Sequence, residues 1–130
     1  MNADSLAYLT RSLECLDGAE SEFAAGRYNN CANRCYYAMF QAAITALIAA
    51  GVRSTKAGRP WEHDFVQAQF AGILIQRRKL YPADLVSALP VNLERRVAAD
   101  YGAPGVSKAV AERALRTARV FVGVVKGRLS

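Results

Sequence analysis

Apolar residues recur along this chain at spacings of three and four, the period of a helix with one buried side. The pattern is richest from Gly26 to Gly51, GRYNNCANRCYYAMFQAAITALIAAG, and predicts one long helix there. Tyr36, Phe40, Ala43 and Leu47 form a large apolar stripe along it. Cys31, Cys35, Ala38, Ala42, Thr45 and Ala49 form a second stripe, all small, which lets another helix approach closely. A third carries Asn30, Arg34, Tyr37 and Gln41, setting an arginine among residues that otherwise read as buried. A buried charge is costly unless it is paired or used. Asn29 or Asn30 is expected to cap the start, and Gly51 to close the end.

The flanking segments read the same way. Residues 3–25 predict a first helix, capped by Asp4 or Ser5, with Leu6, Leu9, Leu13, Leu16 and Phe23 inward and Glu20 interrupting the seam. Its short link through Gly26 implies an antiparallel hairpin with the central helix. Residues 52–60 form a connector with three cations, Arg53, Lys56 and Arg59. A third helix is expected over 61–76, with Phe65, Ala68, Gln69, Gly72 and Ile73 inward and Arg77, Arg78 and Lys79 at its cationic end. A turn at 83–89 precedes a helix from Pro90 to Tyr101. Gly102, Pro104 and Gly105 end it, and a last helix runs from Val106 to Leu129, capped by Ser107. No segment alternates with period two. The expected architecture is all-α, an up-and-down four-helix-type bundle with an additional short or broken helix, five helices in a single domain over 1–130.

Composition narrows the class. The chain has 130 residues and a net charge of +6, compatible with nucleic acid, nucleotide or an acidic partner. No apolar run is long enough to span a membrane, and the N-terminus lacks a signal-peptide pattern. Three cysteines, an odd count without such a signal, fit a reducing, cytoplasmic setting. Cys31 and Cys35 lie one helical turn apart, but no second Cys or His pair follows and His63 is the only histidine, so neither metal nor cofactor is expected.

The run Gly26-Arg27-Tyr28, then Ala32-Asn33-Arg34, then Tyr36-Tyr37-Ala38-Met39-Phe40 resembles the small stand-alone HEPN-domain proteins of prokaryotes. His63 with Phe70, Arg96 through Ala99-Asp100-Tyr101, and Phe121-Val122 are similar to further elements of that family in the same order. The resemblance implies a helical homodimer associated with RNA or nucleotides. It also implies a small nucleotidyltransferase-like partner in a toxin–antitoxin or defence pair. Many such proteins are metal-independent endoribonucleases, using an arginine and a histidine a few residues on, from both subunits. In that chemistry a base takes the 2′-hydroxyl proton and a cation steadies the charged phosphorane.

This chain departs from the motif. Counting from Arg96, Tyr101 stands where the histidine belongs; counting from Arg95, Asp100 does. With ordinary pKa values of about 10 and about 3.9, neither is a ready base near neutrality. The residues expected to bind nucleotide or RNA are Arg34, Tyr37, Asn30 and Arg96. For the alternative, an active endoribonuclease, the candidate catalytic residues are Arg96, Tyr101 and His63. A purely structural dimerisation subunit is the third reading.

Overall fold

The computed structural model describes residues 1–54 and 61–129; Lys56 and Arg59 of the basic connector lie outside them. Five α-helices make up the bundle, and no strand occurs among the described residues. Three of them, α1 (Ala3–Ala24), α2 (Tyr28–Ala49) and α5 (Lys108–Leu129), are 22 residues long. Between α2 and α5 lie α3 (His63–Gln69) and α4 (Ala88–Tyr101). No described helix is long and apolar enough to cross a membrane.

The central position expected for the second helix holds. From Cys31 to Leu47, α2 turns buried residues to every side except at Asn33, Arg34, Tyr37 and Gln41. Its small stripe works as a close-packing seam: the buried Ser12 hydroxyl of α1 donates to the Ala38 carbonyl at 2.6 Å, and Cys31 lies against the Ala111 carbonyl of α5. Cys31 and Cys35 are free thiols, buried with their sulfurs 4.0 Å apart.

Both ends of the α1–α2 hairpin follow the same chemistry. Gly26, at φ +78, lets its own N–H reach Phe23 and that of Arg27 reach Glu22, so the last carbonyls of α1 find donors. Gly51, at φ +84, repeats this with Ile48 and Leu47. Gly51 thus closes α2 as expected.

The caps at the other ends differ. Asn2, not Asp4 or Ser5, caps α1, its Oδ1 accepting from the Ser5 N–H. At α2 the cap position is Arg27, which makes no side-chain capping bond. Asn29 and Asn30 already lie within the helix, and Asn29 Oδ1 accepts from Val106 N–H ahead of α5. Ser107 does cap α5, accepting from Val110 N–H at 3.2 Å.

The inward faces of two helices differ in part from expectation. In α1, Leu9 is buried and Leu13, Leu16 and Phe23 pack against the core as expected, but Leu6 is exposed and Ser5, Ser12 and Ala19 are buried as well. Small side chains win the seam because α2 presents a backbone carbonyl there. Beyond Gln69, α3 passes into a π-helical stretch, Phe70–Arg77, which closes by bonds from Arg78 to Ile73 and Leu80 to Leu74. Val66 of α3 and Phe70, Leu74 and Ile75 of the wider turn are the buried positions; of the expected set, Ile73 packs partly buried against the core. Phe70 packs on Tyr81 and Phe121, with ring centroids 5.3 and 5.1 Å away. A 3-10 turn at Ala83–Leu85 leads into α4, which begins two residues before Pro90. Pro90 is tolerated in that first turn, where its missing N–H would have no helical partner.

Candidate functional site

Helices α2, α3 and α4 bring Tyr36, Tyr37, Phe40, His63 and Arg96 together. Tyr36 and Phe40 share one face of α2, and their rings stack near-parallel with the imidazole of His63, at the first turn of α3. The His63–Phe40 centroid distance is 4.5 Å. The Tyr36 hydroxyl lies 2.6 Å from His63 Nδ1. Burial pushes the Tyr36 phenol up to about 12, so it stays protonated at neutral pH. When Tyr36 donates, His63 carries its proton on Nε2; the opposite tautomer leaves Nε2 as an acceptor.

Arg96 reaches this group from α4. Its Nη1 donates to the Tyr37 hydroxyl at 2.8 Å, and its guanidinium carbon lies 5.6 Å from the Tyr37 ring centre and 5.8 Å from that of Tyr36. The side chain is only 19% exposed. Its nearest carboxylate, Asp100 one turn on, is 3.8 Å away, and Nε is buried with no acceptor among the described residues. His63 is held below the usual histidine range, first by burial and then by the Arg96 charge, against a weaker pull from Asp64. It is therefore neutral near pH 7.

Asp100 joins this group to a second feature. Both of its oxygens accept from Asn33 Nδ2 at 3.2 Å. Asn33 and Asp100 also line a cavity of about 340 Å³ between α1, α2 and α4, together with Gly18, Glu22, Asn30 and Arg34. Glu22 Oε2 accepts from Arg27 Nε at 2.6 Å and from Asn30 Nδ2 at 3.3 Å.

Arg34 is exposed, contrary to its expected burial, and its side-chain stem lies along Gly18. Its charge adjoins the Cys15 thiol, which burial nevertheless pushes above its ordinary value. None of the carboxylates expected to pair with Arg34 does so through a salt bridge. Glu20 binds Arg119 of α5 at 2.5 and 2.6 Å, Asp100 neighbours Arg96, and Glu94 is exposed.

The anticipated site residues therefore fall into two adjoining groups. Arg96, Tyr37 and His63 converge; Arg34 and Asn30 line the neighbouring cavity. Tyr101 joins neither. It is 79% exposed at the end of α4, and none of these contacts includes it. Tyr36 is core, as read, but sequence reasoning missed that its hydroxyl also holds His63, and it missed Asn33, Glu22 and Gly18. Asn33 lies one turn before Tyr37 and Asp100 one turn after Arg96, so helical spacing sets each on the same face as an anticipated site residue.

The bundle is an all-α domain in which an arginine of the fourth helix is set against tyrosines of the second. The HEPN domain family model matches residues 5–128, and the chain belongs to that family. No curated protein matches it.

Proposed function

We propose that this HEPN-domain chain binds RNA or a nucleotide through Arg96 and Tyr37, with Arg34 and Asn30 in the adjoining cavity. The observation that carries this reading is the setting of Arg96. Its guanidinium is largely withdrawn from water, held by one phenol, and has a buried Nε without an acceptor among the described residues. A phosphate oxygen is the kind of acceptor that matches it. Equilibrium binding of fluorescently labelled RNA tests the reading: wild type binds, and Arg96→Ala and Arg34→Ala bind more weakly. Equal binding by folded wild type and variants refutes it.

The reading includes a homodimer. Its support is the exposure of Val86, Val97 and Tyr101, the last two one turn apart on α4. Sedimentation equilibrium tests it. A small nucleotidyltransferase-like partner, in a toxin–antitoxin or defence pair, rests on family membership, and the neighbouring gene provides the test.

One observation favours a second reading, metal-independent RNA cleavage. His63 comes from a different helix, yet it reaches the Arg96 group and is held neutral, as a base must be. This reading requires the tautomer with Nε2 free. It predicts cleavage in the presence of a chelator, abolished in His63→Ala. Intact RNA after prolonged incubation with the purified protein refutes it.

A further inference from the structure

The cavity beside Arg96 is lined by Glu22, Asp100, Arg34, Asn30, Asn33 and Gly18. Two carboxylates and two carboxamides line most of it with hydrogen-bond acceptors, beside the single guanidinium of Arg34. Such a lining suits a neutral group that presents donors. We infer that this cavity takes a nucleobase, and that it selects guanine. The inference rests on the proposed RNA-binding role and names the part of the RNA that the cavity reads.

The argument is one of donor and acceptor pattern. A carboxylate at neutral pH only accepts hydrogen bonds. On the Watson–Crick edge, guanine alone sets two donors side by side, N1–H and the 2-amino group. Adenine and cytosine place an unprotonated ring nitrogen next to their amino group, and uracil flanks its single N–H with two carbonyls. Each of these sets a lone pair against the carboxylate, and leaving such groups unmatched is costly. The guanine O6, next along the edge, needs a donor, and Arg34 and the amide of Asn30 are the donors of the same cavity.

The two carboxylates are held in place by the protein itself. Glu22 is fixed by Arg27 and Asn30 through Oε2, and Asp100 by the Asn33 amide. Asp100 is also the carboxylate nearest Arg96, 3.8 Å from its Nη1, so a base read here has its own phosphates beside the Arg96 guanidinium.

Gly18 is the independent observation. It lies inside α1, where glycine costs roughly 1 kcal/mol relative to alanine. Packing does not demand it. A Cβ built there would touch only the Arg34 side chain, at an ordinary 3.7 Å. Its φ is not in the left-handed region either. What the missing side chain does is leave open one wall of the cavity.

The test compares four labelled ten-nucleotide RNAs, polyuridine carrying a single G, A, C or U at its centre, binding to the full chain. Guanine is expected to bind about tenfold or more tighter than the others, the scale of one well-matched base edge. Replacing that guanine by hypoxanthine, which lacks the 2-amino donor, removes part of the preference. Glu22→Gln and Asp100→Asn, which replace an acceptor with a donor group, reduce or reverse it. Gly18→Leu fills the wall and abolishes it, with circular dichroism showing that the helices remain. Equal affinity for all four RNAs overturns the guanine assignment and leaves the phosphate role of Arg96 standing. Absence of RNA binding by the folded protein overturns both.

Discussion

The guanidinium of Arg96 and the hydroxyl of Tyr37, 59 residues apart in the chain, are joined by a 2.8 Å hydrogen bond between α4 and α2. Each orients the other, so the pair is a structural element as well as a candidate ligand contact. Arg96→Ala is expected to lower stability by about 1–3 kcal/mol, because the half-buried phenol loses its donor. RNA affinity should fall about tenfold or more, the scale of a charged hydrogen bond. Arg96→Lys keeps the charge but not the planar fork, and recovers the affinity only in part. Urea denaturation and fluorescence anisotropy read the two effects separately.

Removing the Tyr36 hydroxyl isolates the role of the His63 contact. Tyr36→Phe keeps the ring stack and deletes the 2.6 Å bond. It should destabilise the fold by about 1 kcal/mol. It should also free the His63 imidazole, seen as a shifted histidine ring resonance in NMR.

Stability should depend on pH through His63. Its folded pKa lies below the unfolded value of about 6.5, so the unfolded chain binds a proton first as pH falls. The stability present above pH 6.5 therefore declines as pH drops from there to the lower folded value, and levels off beyond it. Urea midpoints measured across that window should show this decline in the wild type and a smaller one in His63→Gln.

The α1–α2 seam should tolerate deletion better than addition. Ser12→Ala loses one buried hydrogen bond, worth about 0.5–1.5 kcal/mol, and leaves the Ala38 carbonyl bonded within its own helix. Ser12→Leu forces bulk against the same backbone and should cost about 1–3 kcal/mol or more. Thermal unfolding of the two variants sets the order.

The Glu20–Arg119 pair makes a contrasting case. Its bonds are short, but the side chains are 40% and 50% exposed, so water and salt screen them. Glu20→Ala should change stability by about 1 kcal/mol or less, with the difference vanishing in high salt.

Much of this architecture was legible in the residues. The α2 stripes, the glycine at each end of the hairpin's second helix, and the Ser107 cap depend on local spacing, which sequence displays directly. The inward face of the third helix was not legible, because a π-helical stretch changes the turn that periodicity assumes. Asn29 was misread for a related reason: an asparagine near a helix start suits a cap, but the demand it meets is the Val106 N–H, from a segment distant in sequence. The site was half visible. Arg34 and Tyr37 stood out as polar residues in an otherwise apolar helix, and Arg96 through the family resemblance, whereas the tie between Tyr36 and His63 depends on how α3 docks, which no local pattern encodes.

The three-residue link between α1 and α2 has a kinetic consequence. These two helices share the most extensive packing in the bundle, and they are also neighbours in sequence. Their association closes a short loop, so its entropic cost is small and it can precede the rest of the fold. The Arg96 cluster must wait for a segment synthesised much later. The chain thus assembles a scaffold first and its cleft last, and substitutions in the cleft should leave the folding rate nearly unchanged while accelerating unfolding.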